Sequence, residues 1–132
     1  MRLLLALLLV PSLAHADIEE DLASKDAKTR KAAHTTLATT YKRYVIDLAK
    51  PYETYSTLSV EISGYNADLN QFTGTIYPPN VAIQGSIAND GTTILFNYRS
   101  NCVLRMNGVS DGYLTGTLKC GAAATTARSA LP

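Results

Sequence analysis

The chain has 132 residues, of which 46% are hydrophobic and 17% charged, and its formal net charge at pH 7 is +1. This length suits one domain with a buried core and leaves no room for a second. A net charge near zero creates no overall field that would attract nucleic acid or anionic lipid. We therefore expect no nucleic-acid partner and no electrostatic attachment to a membrane surface.

The N-terminus has the features of a secretory signal peptide. Arg2 supplies a positive charge, and residues 3–10 form a short apolar run. Small residues at Ala14 and Ala16 occupy the two positions that a signal peptidase recognises, which predicts cleavage after Ala16. An uncleaved anchor is disfavoured because the apolar stretch is far shorter than the roughly 20 residues that span a bilayer. We expect a signal peptide over residues 1–16 and a periplasmic or secreted mature protein without stable membrane insertion.

Residues 17–50 have the composition of a helical segment. They are rich in Ala, Lys, Glu and Leu, contain no Gly or Pro, and stop at Pro51. A break near residues 24–26 would divide the segment into two helices, with Ser24 or Asp26 as the N-cap of the second. The sequence leaves the broken and the continuous helix open. Apolar residues recur at spacings of three and four, which predicts one packing face: Ala33, Leu37, Tyr41, Tyr44, Val45 and Leu48.

From Thr57 onward the apolar residues alternate with a period of two, and turn-forming residues separate β-branched and aromatic runs. This pattern predicts an antiparallel β-meander over residues 51–120 in the same domain as the helical segment. Residues 121–132 are small and polar, and we expect a flexible tail there. The six predicted strands are 56–63, 71–77, 81–88, 93–98, 102–109 and 113–120.

The two cysteines, Cys102 and Cys120, predict one disulfide, because an even number of cysteines in an exported chain favours a bridge. A three-residue hairpin loop over residues 110–112 pairs Val109 with Tyr113. Counting back from that loop brings Cys102 directly opposite Cys120. Closure of a loop of this length stabilises the fold by about 3 kcal/mol on the chain-entropy model.

Three other loops predict the rest of the strand register. A two-residue turn at Asp90 and Gly91, a three-residue loop over residues 99–101 and a four-residue loop over residues 77–80 each place apolar side chains on a common face. The predicted pairs are Ile87 with Ile94, Gly85 with Phe96, Ile83 with Tyr98, Phe96 with Leu104, Ile94 with Met106, Ile76 with Val81, Gly74 with Ile83 and Phe72 with Gly85.

Together these patterns predict an α+β fold. An N-terminal helix packs on a curled six-stranded antiparallel meander that carries one disulfide, and partial closure into a barrel is the alternative. Glycines at the inward positions 74, 85 and 116 indicate strong curling or close approach of the helix.

The sequence offers little for catalysis or metal binding. His34 is the one histidine after the signal peptide, and no patterned serine or cysteine accompanies it. We expect it to face solvent or to be partly packed on its helix. Two cysteines would need two further ligands to hold zinc. No phosphate loop, dinucleotide fingerprint or nucleophile elbow occurs, so we expect no enzymatic activity, no metal and no cofactor.

Two features indicate binding. The chain has eight tyrosines and no tryptophan, and tyrosine at loop tips is common in binding surfaces. We predict a partner-binding patch at Tyr65, Tyr77, Pro78 and Pro79; packing of these rings over the sheet rim is the alternative. An exposed edge strand, 56–63 or 113–120, offers a second route by strand addition. The outward face is polar, with Thr, Ser, Gln84, Asn97, Arg105 and Lys119.

The leading hypothesis is a non-enzymatic exported interaction module, an inhibitor-like or envelope partner-binding protein whose partner is another envelope or secreted protein. The alternative is a carrier of a small apolar ligand in a pocket between the helix and the sheet. That pocket would be lined by Phe72, Ile83, Phe96 and Leu104.

Overall fold

The computed structural model describes residues 18–52, 54–77, 80–96 and 102–132. Its helical part consists of α1 (18–22), α2 (Ala27–Thr36) and a π-helical turn over Leu37–Tyr41. The strands pair in chain order, all antiparallel, and the last pairs with the first, so the sheet closes into a barrel. The eight strands are β1 (Arg43–Tyr52), β2 (Tyr55–Asn66), β3 (Gln71–Tyr77), β4 (Val81–Ile87), β5 (Thr93–Phe96), β6 (Cys102–Ser110), β7 (Tyr113–Cys120) and β8 (Ala123–Ala130).

The predicted fold class is confirmed: a helix packs on a curled antiparallel sheet that carries one disulfide. The sheet has eight strands rather than six. Residues 43–50, predicted as helix, belong to β1, and most of the predicted tail, residues 123–130, is β8. Tyr44, Ile46 and Leu48 point inward with a period of two, but Tyr41, Tyr44, Val45 and Leu48 also satisfy helical spacing. The inward residues of β8 are small, so that strand lacks the usual apolar alternation.

The helical segment breaks before α2, so of the two predicted possibilities the broken helix is the one observed. Asp26 is the N-cap: its carboxylate accepts hydrogen bonds from the Lys28 N–H at 3.4 Å and the Thr29 hydroxyl at 2.8 Å. The helical part ends at Lys42, which has a positive φ of 60° and donates its N–H to the carbonyl of Leu37. The chain therefore reverses direction at Lys42 and enters β1.

The disulfide is confirmed. Cys102 and Cys120 are directly opposed in β6 and β7, their Cα atoms are 4.1 Å apart, and both side chains are buried. The bridge therefore joins two adjacent strands at the end of the barrel that lies away from the 110–113 turn.

The loop that led to this pairing was predicted wrongly. The turn has two central residues, Asp111 at φ 51° and Gly112 at φ 80°, and it pairs Ser110 with Tyr113. A bulge between Met106 and Gly108 shifts the register by one residue. This shift offsets the difference in loop length, so the pairs between the bulge and the disulfide are those predicted, including Cys102 with Cys120.

The same bulge occurs in the β2–β3 hairpin, between Ile62 and Gly64. In both hairpins the bulge faces an inward glycine, Gly74 or Gly116, at which a Cβ would collide with the carbonyl of the strand opposite. The glycines lie in matching pentapeptides, Phe-Thr-Gly-Thr-Ile over 72–76 and Leu-Thr-Gly-Thr-Leu over 114–118. Bulge and glycine together bend the sheet sharply enough to close.

The β3–β4 register is as predicted, with Ile76 opposite Val81, Gly74 opposite Ile83 and Phe72 opposite Gly85. The predicted β4–β5 register is wrong by one residue, because the loop has three residues rather than the predicted two. The Ala88 N–H donates to the Thr92 carbonyl at 2.9 Å, and Gly91 takes the left-handed position. The observed pairs are Ile87 with Thr93, Ser86 with Ile94, Gly85 with Leu95, Thr93 with Met106 and Leu95 with Leu104, and Tyr98 and the 99–101 loop lie outside the described residues.

Side chains fill the barrel interior. The largest fully buried ones come from β1, β2, β3, β6 and β7 and include His34 of α2, and the helical part covers one end with Leu22, Ala33, Leu37 and Ala38. Within the described residues, no helix is long and apolar enough to cross a membrane.

The Gly116→Ala variant should lose about 3 kcal/mol of unfolding free energy, because the new Cβ would overlap the backbone of Arg105 and Met106. Gly64→Ala is the matched control: its Cβ meets the Thr73 hydroxyl at 3.1 Å, a side-chain atom that can rotate away. Urea unfolding of both variants measures the difference. Equal losses would contradict the proposed role of the inward glycine.

Candidate binding surface

Helix α2 is fastened to the β4–β5 loop by its basic residues. The Arg30 guanidinium donates to the Asp90 carbonyl through Nε at 3.0 Å and Nη2 at 2.7 Å. Lys31 Nζ donates to the Asn89 side chain at 2.9 Å. The basic pair Arg30 and Lys31 therefore holds the helix against the end of the barrel.

A second attachment lies at the other side of the same end. The Gly112 N–H, in the β6–β7 turn, donates to the Glu19 carboxylate of α1 at 2.9 Å. The helical part is thus tied to two separate turns and covers the barrel opening between them.

A small polar cluster lies beneath this cover. His34 of α2 shares a hydrogen bond with Thr93 of β5, with 2.7 Å between Nδ1 and the hydroxyl oxygen. Tyr44 of β1 lies in the same interior, and its hydroxyl has no hydrogen-bond partner among the described residues. All three side chains are at most 3% exposed. The expectation that His34 faces solvent or is partly packed is therefore wrong, and the cluster has no access to a substrate.

Burial sets the protonation of this cluster. It lowers the pKa of His34 from 6.5 to about 4, an effect that the positive charge of Arg30 reinforces and the negative charge of Asp90 opposes. Burial raises the pKa of the Tyr44 phenol, and the neighbouring Thr93 side chain acts weakly against that rise. Both rings are neutral at pH 7.

Acid should destabilise the protein through His34. The unfolded chain takes up a proton near pH 6.5 but the folded chain only near pH 4, so stability is lost as pH falls through this window. We expect a loss of about 2 kcal/mol between pH 7 and pH 4.5 from this residue. His34→Gln keeps a hydrogen-bonding side chain but does not titrate. In urea unfolding, its loss of unfolding free energy between pH 7 and pH 4.5 should be smaller than that of the wild type by this amount. An unchanged acid response in the variant would refute the assignment.

The structure does not bring the predicted tyrosine patch together. Tyr65 pairs with Phe72 near one end of the β2–β3 hairpin, and Tyr77 pairs with Ser59 near the other, roughly 17 Å away along the strand. The Tyr65 hydroxyl donates to the side chain of Asn70 at 3.1 Å. Pro78 and Pro79 lie outside the described residues.

Strand addition has no site on the two predicted edge strands. Residues 56–63 lie in β2 and residues 113–120 form β7, and each of these strands is paired on both sides. Recognition at these strands therefore depends on side chains.

The residues predicted to line an apolar pocket are packed in the core. Phe72, Ile83 and Leu104 are at most 2% exposed. The side chain of Phe96 lies outside the described part of the structure. The helical cover and the strand side chains occupy the space between helix and sheet.

The largest groove found among the described residues lies on the outer face of β6, β7, β8 and β1, which we call the groove wall. It has a volume of about 690 Å³. A second groove of about 390 Å³ adjoins it, because Thr117 lines both. A separate groove, of about 160 Å³, lies at the disulfide end of the barrel, where Lys50 and the core residues Leu118 and Cys120 line it. The largest groove is lined by Asp47, Leu48, Ala49, Asn107, Thr115, Gly116, Thr117, Thr126, Ala127 and Arg128.

Both grooves of this wall have basic side chains in their lining. Arg128 lines the first, and Arg105 and Lys119 line the second. The carboxylate of the wall belongs to Asp47, directly across from Arg128 in the β1–β8 pairing.

Another groove, of about 400 Å³, lies on the outer face of β2–β4, and none of its lining residues is charged. Tyr65, Gln71, Thr73 and Gln84 are among these residues. The two sides of the barrel therefore differ in charge.

Sequence reasoning singled out Arg105 and Lys119 only as members of a polar outward face. It missed Arg128, because β8 was not predicted. The inward residues of β8, Ala127 and Ser129, are small, so no apolar alternation marks this strand in the sequence.

No group of three or more His, Cys, Asp or Glu side chains within the described residues is placed to hold a metal ion. Comparison of the chain with protein-family models, with curated proteins and with solved structures found no match.

Proposed function

We propose that the protein is an exported, non-enzymatic interaction module that binds another envelope or secreted protein through the groove wall. One observation carries the proposal: the largest groove is on the exterior and is lined by accessible polar side chains, whereas the polar cluster of the interior is sealed. A partner can reach the first and not the second. An inhibitor that blocks its partner's own site is one form of this function.

The composition of the wall suits protein recognition. Hydroxyl and amide side chains such as Thr115, Thr126 and Asn107 both donate and accept hydrogen bonds, and arginine is enriched in protein interfaces. The buried disulfide is compatible with export.

The alternative of an apolar-ligand carrier has no supporting observation, because the expected pocket residues are packed in the core. A carrier would need an interior cavity.

Capture of partners from an envelope extract by the mature, oxidised protein tests the proposal. Thr117→Trp places a large ring where two grooves meet and should reduce partner recovery at least tenfold. Ala82→Trp is the matched control, since Ala82 is exposed on β4 and lines none of these grooves. Mass spectrometry quantifies the captured proteins and any bound small molecule. Equal recovery by both variants, or a co-purifying apolar molecule without a protein, would overturn the proposal.

A further inference from the structure

Charge is distributed unevenly around the barrel. The chain that remains after residue 16 has 11 basic and 11 acidic residues, yet β6, β7 and β8 contain three basic residues and no carboxylate. Arg105, Lys119 and Arg128 are all exposed on the groove wall. A neutral chain thus presents one cationic side.

The strand pairing fixes the spacing of these cations. Arg105 faces Thr117, so it is a diagonal neighbour of Lys119, with Cα atoms roughly 7–8 Å apart. Arg105 pairs with Thr117 of β7, and Arg128 pairs with Thr115, two residues away on the same strand. Arg128 therefore lies two strands from Arg105, at a distance of roughly 12 Å. These separations correspond to about two to four residues of an extended peptide.

One of these cations is held in place. The Arg128 guanidinium lies over the Tyr113 ring, 4.4 Å from its centre. Stacking of this kind restricts the side chain and leaves the N–H groups at the guanidinium edge free for a carboxylate. Asp47, across from Arg128, already accepts a hydrogen bond from the Thr57 hydroxyl at 3.1 Å.

The lining between the cations is suited to a polypeptide. Thr115, Thr117 and Thr126 offer hydroxyl groups that can pair with peptide N–H and C=O groups alike. Because β7, the central strand of the wall, is paired with both neighbours along its length, its backbone is not available to a partner. Recognition then rests on side-chain charge and hydrogen bonding.

We infer that the groove wall binds an extended acidic segment of the protein partner, with Arg105, Lys119 and Arg128 each receiving a carboxylate. This inference rests on the proposed function and specifies its partner. Electrostatic matching of this kind selects among partners and accelerates their encounter.

Fluorescence anisotropy of a labelled 12-residue peptide with alternating Glu and Ser tests the inference, with an equal-length Gln and Ser peptide as the neutral reference. We expect the acidic peptide to bind mature protein at least tenfold more tightly, and binding to weaken as NaCl rises from 50 to 300 mM. The triple variant Arg105→Gln, Lys119→Gln, Arg128→Gln should bind the acidic peptide about tenfold more weakly, the loss expected for three exposed ion pairs.

The matched control removes three exposed cations elsewhere, with Lys25→Gln, Lys28→Gln and Lys42→Gln, and should bind as the wild type does. Urea unfolding confirms that both triple variants are folded. Equal affinity for the two peptides, or equal behaviour of the two triple variants, would overturn the inference. So would tighter, wall-dependent binding of polygalacturonate, which would identify an anionic polysaccharide instead.

Extract capture separates this inference from the proposed function. If Thr117→Trp abolishes partner capture while the wall triple variant retains it, the function stands and the acidic segment is wrong. If neither variant alters capture, both fail.

Discussion

The pairing of β1 with β8 is the constraint on which the molecule depends. Ile46, Asp47 and Leu48 face Ser129, Arg128 and Ala127, and this contact converts a meander with two free edges into a closed barrel. Closure with eight strands leaves an interior that side chains can just fill. It also gives residues 46–48 of β1 and residues 127–129 of β8 a strand partner. The helical part covers the opening at one end of the barrel.

The buried pair of His34 and Thr93 shows how the helix and the sheet determine each other. A histidine and a threonine in an apolar interior are costly unless they bond to each other. Their 2.7 Å hydrogen bond meets this requirement, and it requires Thr93 to face inward. The three-residue loop at 89–91 provides that register, and Arg30 and Lys31 donate hydrogen bonds to the same loop. The docking of the helix and the register of β4 and β5 therefore depend on each other.

Sequence patterns predicted the parts of the fold that are governed by local rules. Alternation located six strands, and the cysteine pair located the β6–β7 hairpin. The errors arose where a tertiary contact or a subtle loop decides the outcome. Thr93 faces inward, where His34 bonds to it, and the bulge at Asn107 compensates for a shorter turn than expected. The apolar residues of β1 also satisfied helical spacing. The inward side chains of β8 are too small to give the apolar alternation that predicts a strand.

The candidate surface was less predictable, because its residues lie far apart in the chain. Arg105, Lys119 and Arg128 come together through pairing among β6, β7 and β8, and the last of these strands was not expected. Two tyrosines of the predicted patch show the opposite case. Tyr65 and Tyr77 are close in sequence, yet the β2–β3 hairpin carries them to its two ends.

The matching bulge hairpins give the barrel a pseudo-repeat. Advancing four strands, from β2–β3 to β6–β7, returns the same glycine, the same bulge and the same flanking threonines. At one equivalent outward position the two halves diverge: Glu61 faces Thr75 in the first, and Arg105 faces Thr117 in the second. Glu61 also lies opposite Arg43 of β1, so the two sides have similar backbone shape but, among the described residues, only the second presents an unpaired cation at this position. A ligand that discriminates between them does so by its charge rather than by its contour.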